Sequence, residues 1–239
     1  MHAIEIDGTP ADVVGLGERI EAKVTAVAAF PVRKQHVRGL DHHLDRLVGH
    51  SRDSGDRQAQ RESLEQVVSA FIRSHDDLER VRVERFRPAD GDSERTLIMR
   101  CDPRPALASE LRLRTTERGA AGEWPAGPGE ALLLDDDRIH GTTIGAIGFV
   151  SRRRVIWPDS SAAATVERLL VHEQLRAAGV ACAVVPVRLD DVGLFEGSFI
   201  VGDHGVSIVT AIDDLALTRD GDGIADVRLA FDRIPWLRV

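Results

Sequence analysis

Glu130-Ala131-Leu132-Leu133-Leu134-Asp135-Asp136-Asp137-Arg138-Ile139-His140-Gly141-Thr142-Thr143-Ile144-Gly145-Ala146-Ile147-Gly148-Phe149-Val150-Ser151 is the stretch on which the fold turns. Residues 131–134 form an apolar run of strand length, residues 135–137 an acidic turn, and residues 146–151 a second strand. His140 and the small polar residues after it are expected in turns. Arg152, Arg153 and Arg154 predict a solvated hairpin leading to a strand at 155–157. A helix follows at 162–178, stopped by Gly179. Strands are expected at 181–188, 198–201, 206–212 and near 227–231.

Upstream, strands at 3–6 and 23–33 lead to a helix at 41–50, in which Leu40, Leu44 and Leu47 share a face and Asp41 is the expected cap. The polar residues 51–61 suggest a loop. A second helix at 62–74 carries the stripe Leu64, Val67, Val68, Phe71 and Ile72. Strands at 81–86 and 96–101 complete a small lobe. Residues 118–129, rich in Gly, Ala and Pro, mark the boundary. The expected class is therefore α+β, with lobes at 1–117 and 118–239.

A chain of 239 residues with 43% hydrophobic content can bury two such cores. Its longest apolar runs are far shorter than the roughly 20 residues of a spanning helix. With no basic and apolar leader at the N-terminus, the expected location is the cytoplasm, with no membrane partner. A net charge of -8 argues against nucleic acid, which demands a concentrated basic face. Cys101 and Cys182 sit in apolar segments and read as small buried hydrophobes. His36, His42, His43 and His50 lack the phase of a zinc site, so no metal is expected. Asp220, Asp222 and Asp226, with Gly221 and Gly223, lack the closing glutamate of a calcium loop and read as a solvated hairpin turn. Only Lys23 and Lys34 are lysines.

Several phrases stand in a familiar order: Leu40-Asp41-His42-His43-Leu44-Asp45-Arg46-Leu47, the Glu130 to Asp135 strand with His140-Gly141-Thr142-Thr143, Ala178-Gly179-Val180 leading to Val187-Arg188-Leu189-Asp190-Asp191, and Phe199-Ile200-Val201. In that order they resemble the class IV pyridoxal-phosphate aminotransferases and aminodeoxychorismate lyases over nearly the whole chain. The resemblance implies a two-lobed fold, a homodimer, and a phosphate-holding role for Arg46. It also shows what is replaced. His140 stands where the family has the glutamate that pairs with the pyridine nitrogen, and Gly145 where it has an asparagine. Ser160-Ser161-Ala162-Ala163-Ala164 takes the place of the phosphate loop, and Val201-Gly202-Asp203-His204 that of the Thr-Asn-Ser phrase.

The segment that carries the Schiff-base lysine is missing: only residues 118–129 span it, without a lysine. Internal aldimine chemistry requires a desolvated amine held against the aldehyde carbon. Lys23 and Lys34, beside a strand of the small lobe, read as surface residues. No cofactor is therefore expected. The leading expectation is a cofactor-independent enzyme acting on a small anionic ligand in a cleft between the lobes. His140, Asp203 and His204 are its candidate catalytic residues, and Arg46, Thr142 and Thr143 its candidate ligand contacts. The alternatives are a non-catalytic pseudoenzyme that binds a metabolite or partner, and pyridoxal-phosphate chemistry on a displaced lysine.

Overall fold

Charged and apolar residues alternate in Arg80–Arg87, yet nearly all of that strand is buried, because it lies at the middle of a sheet. The computed structural model describes residues 4–11, 17, 19, 22–49, 54–89, 93–104, 107–117, 130–161, 164–218 and 222–239. Met1–Arg104 with Pro235–Val239 form one compact unit, and Pro105–Ile234 a second.

In the first unit, strands β1 (Ile4–Ile6), β2 (Thr9–Pro10), β3 (Lys23–Pro31), β5 (Arg80–Arg87) and β6 (Arg95–Arg100) pair antiparallel in the order β2-β1-β6-β5-β3. A short β4 (His36–Val37) pairs with β16 (Leu237–Arg238), bringing the chain's end back to this unit. Two helices, α1 (Leu40–Val48) and α2 (Ser54–Ser74), supply Leu44, Leu47, Val68, Phe71 and Ile72 to a core shared with Phe30, Val81, Val83 and Ile98. The residue before α1 is Gly39, left-handed at φ 61°, and no side chain caps the helix. Asp41 instead lies in the first turn and pairs with Arg61.

Helix α2 begins at Ser54, inside the stretch expected to be a loop. Polarity there does not signal a loop. Arg61 donates to Asp45 (3.1 Å) and Glu65 (3.4 Å), and Gln58 to Glu62 (2.7 Å), so good helix formers are tied by pairs one turn apart and to α1.

The second unit is built on one mixed sheet. Its strands are β7 (Glu110–Glu117), β8 (Ala131–Asp135), β9 (Arg138–Thr142), β10 (Ala146–Ser151), β11 (Arg154–Pro158), β12 (Ala181–Val185), β13 (Gly197–Gly202), β14 (Gly205–Ile212) and β15 (Leu215–Ala216). The order is β12-β11-β10-β13-β14-β7-β8-β9, with β15 on β14. The sheet curls as a half-barrel. Ile139 N donates to Val187 O (2.9 Å) and Arg138 bridges Arg188, so β9 meets the segment that follows β12. Leu111, Leu132, Phe149, Ile200 and Val209 fill one side. On the other, Trp157, Phe199 and Val201 pack under α3 (Val166–Ala177) and α4 (Asp222–Asp232). Gly148 permits this packing: a Cβ there would stand 2.4 Å from the Phe199 ring.

Several expectations are corrected here. Residues 227–231 are helix, not strand: Ile224, Val227 and Phe231 recur at helical spacing and are buried, and a short apolar run does not separate the two states. The hairpin turn expected around Asp222 and Asp226 is the start of that helix; Asp220 and Gly221 lie outside the described residues. Strand β12 ends at Val185, and Leu189–Leu194 form a 3₁₀ helix. Strand β7 is paired in the second unit's sheet, upstream of the boundary expected at 117. The linker 118–129 lies outside the described residues.

Candidate functional site

The bend between β9 and β10 is held by its own hydroxyls. Thr142 Oγ1 donates to Gly145 O (2.6 Å) and accepts from Gly145 N (3.1 Å) and Ile144 N (3.4 Å). Thr143 is clamped to β8: its Oγ1 accepts from Ala131 N (3.0 Å), and its own N donates to Ala131 O (3.1 Å). Gly145 is pressed against β13, where a Cβ would lie 2.4 Å from Val201 O. Only glycine fits that approach.

Strand β13 then runs through Gly202, itself close to Ile144 O, into the Asp203-His204 turn that leads to β14. The Thr142–Gly145 bend and the Asp203-His204 turn are thus neighbours at one end of the sheet. His204 Nε2 stands 3.3 Å from Asp203 Oδ1, with the Asp203 side chain 5% exposed and that of His204 25% exposed.

His140 lies in β9, half-buried, rather than in a turn. Its carbonyl accepts from Ser160 Oγ (2.5 Å), which ties the segment before α3 to the same strand. Thr165 caps α3, accepting from Arg168 N (3.2 Å). Arg168 is 7% exposed, reaches Pro158 O (3.4 Å) and lies over the Trp157 ring. Burial is the main cause lowering its pKa from the usual guanidinium value, opposed by Asp159. The sequence reasoning missed Thr165 and Arg168, although a threonine just ahead of a helical apolar pattern is a capping signal.

Among the sequence candidates, His140, Thr142, Thr143, Asp203 and His204 all belong to the second unit. The bend and the turn meet through Gly145 against Val201 and Gly202 against Ile144, while the hydroxyls of Thr142 and Thr143 serve the backbone. Arg46 belongs to the first unit, exposed in the last turn of α1. Lys23 opens β3, exposed and opposite Arg87. Lys34 is exposed at φ 49°, in the tight turn closed by Arg33 and His36. Among the described residues, no group of three His, Cys, Asp or Glu side chains is placed to hold a metal ion, and no helix is long and apolar enough to cross a membrane.

No protein-family model and no curated protein matches the sequence. Solved structures do match the fold. The chain is similar to 4-amino-4-deoxychorismate lyase from Pseudomonas aeruginosa, at TM-score 0.75 and 20% identity, covering 97% of this chain and 99% of that one. It is also similar to a fold IV transaminase from Curtobacterium pusillum (TM-score 0.69, 14% identity, 93% and 90% covered). A third likeness is to an aminotransferase from Brucella abortus bound to the cofactor PLP (TM-score 0.63, 14% identity, 86% and 87% covered). The chain thus shares the class IV aminotransferase-like fold, with its half-barrel sheet.

Proposed function

We propose that the protein is an enzyme acting on a small anionic metabolite without covalently held pyridoxal phosphate, with His204, oriented by Asp203, as its proton-transfer residue. The carrying observation is the position of the two lysines. Lys23 and Lys34 are the only lysines of the chain, and both are exposed at strand and turn positions of the first unit. An internal aldimine needs an amine that is desolvated and held against the aldehyde carbon, and an exposed side chain offers neither. These residues do not fit an internal aldimine.

The Asp203-His204 pair supports the choice of site. A largely buried carboxylate beside a partly exposed imidazole is an arrangement suited to proton transfer. Half-buried His140, on the strand leading into the neighbouring bend, is the second candidate acid or base.

A second reading, a non-catalytic protein that binds a metabolite or partner, is favoured by Thr142 and Thr143, whose hydroxyls are spent on the backbone and leave fewer groups for chemistry. Incubation with panels of carboxylic acids and phosphate esters, followed by NMR of the mixtures, separates the two. Turnover of any panel member that falls about 100-fold or more in His204→Gln and Asp203→Asn supports the enzyme. Turnover unchanged by those substitutions and by His140→Ala contradicts the proposed site, and binding without turnover supports the second reading.

A further inference from the structure

Strand β12 stands at one end of the second unit's sheet. It pairs in parallel with β11, and no described strand lies on its other side. Asp159 N donates to Val185 O (2.9 Å), which fixes the phase of the ladder. In a parallel pair alternate residues bond the neighbouring strand, so Ala181, Ala183 and Val185 direct their backbone groups to β11, and the N–H and C=O of Cys182 and Val184 point to the open side. Such an edge is a template for another strand, and folds commonly blunt it. The other sheet edges show how. Strand β2 is two residues long, β3 opens on Lys23 and has a register shift between Val24 and Ala26, and β9 carries Arg138 and meets the segment at Val187. Strand β12 has none of these devices: its register with β11 is unbroken, and Val184 and Val185 are 45% and 40% exposed.

Charge and symmetry decide what fits there. Residues 177–187 carry no charge, in a chain that is 29% charged and has a net charge of -8. Copies of such a chain repel one another over most of their surface, and an uncharged strip lets them meet without like charges in contact. The two residues with outward backbone groups flank Ala183, so the edge is its own complement under a two-fold axis through that residue. Antiparallel pairing about this axis sets Cys182 opposite Val184 of the second copy as a bonded pair, each N–H donating to the other's C=O, and the axis repeats the exchange. Every outward group of Cys182 and Val184 is then met. Ala183 faces itself as the non-bonded pair, where Cα atoms approach to about 4.5 Å and a methyl group is easily accommodated.

We propose that the open edge of β12 docks a second copy of this chain, antiparallel about Ala183, so that one sheet runs through both copies. The pairing uses no residue of the Asp203-His204 turn or the Thr142–Gly145 bend.

Oxidative cross-linking of the full chain reads this geometry. Ala183→Cys sets two thiols across the axis at a separation that a disulfide spans, and non-reducing gels should show covalent dimer as the main product. The unmodified chain, whose Cys182 faces Val184 rather than itself, should give little. Val184→Pro removes an N–H that β11 does not use, a change an edge strand tolerates, and should lower the yield from Ala183→Cys about tenfold or more. Val184→Lys, which puts a charge into the uncharged strip, should do the same and decides the matter if circular dichroism shows that the proline variant does not fold. No covalent dimer from Ala183→Cys overturns the proposal and leaves the edge to a strand of another protein. A yield no greater than that of Val27→Cys, at an exposed position on β3, reports random collision and also overturns it. So does a yield unchanged by both Val184 substitutions, or cross-linking of the unmodified chain through Cys182, which requires a different register.

Discussion

The Thr142–Gly145 bend and the Asp203-His204 turn stand side by side at one end of the same sheet, yet they use their polar groups in opposite ways. In the bend, both threonine hydroxyls are bonded to backbone, and the glycine is fixed by contact with Val201 O. In the turn, the largely buried Asp203 carboxylate stands 3.3 Å from Nε2 of the partly exposed His204 ring. The lesson is that polar residues near a site are not equivalent: a hydroxyl that closes its own turn is scaffold, and an oriented base is chemistry.

Substitutions should separate the two regions by what they damage. Gly145→Ala is expected to be the most destructive, since its Cβ would meet a backbone carbonyl at 2.4 Å that cannot swing aside. Denaturant melts should show a loss of about 3 kcal/mol or more. Thr142→Val keeps the shape but strips the bend of its hydroxyl, leaving Gly145 N without its partner, and should cost about 2 kcal/mol. A loss under about 0.5 kcal/mol in that melt would return Thr142 to the list of ligand contacts.

A pH effect belongs to neither region and serves as an internal control. His43 is buried in the first unit against Phe30, and burial, with Arg46 and His42 adding repulsion, lowers its pKa from 6.5 to about 3. The unfolded chain therefore binds the proton more tightly. The stabilising contribution is complete above about pH 6.5 and is lost as pH falls towards 3, at about 1.4 kcal/mol per pH unit. Stability measured against pH should lose that slope in His43→Leu and keep it in His204→Gln. The smallest stability effect is expected for His204→Gln itself, under about 1 kcal/mol, because its side chain is partly exposed. Its consequence should appear in turnover instead.

The strands of the second unit were largely legible, because apolar runs such as residues 131–134 and 146–151 are bounded by turn residues. Strand β9 was not. Arg138, His140 and Thr142 alternate with buried Ile139 and Gly141, but the run is short, polar and glycine-containing, and what makes it a strand is pairing with β8 and the approach of Val187. Helix α4 was hidden for a similar reason, since five residues of mixed apolar character satisfy either period. The start of α2 was lost because its support comes from charge pairs rather than from an apolar stripe. At the site, the approach of the bend to the turn depends on glycine contacts between distant strands, and Arg168 is buried by tertiary packing that its charge argues against.

The most direct test of the central claim is an absorbance titration of the purified protein with pyridoxal phosphate, followed by borohydride reduction and intact-mass measurement. The account predicts no aldimine band and an unchanged mass. A reduced adduct mapped to Lys23 or Lys34 would contradict it and restore pyridoxal-phosphate chemistry on a displaced lysine.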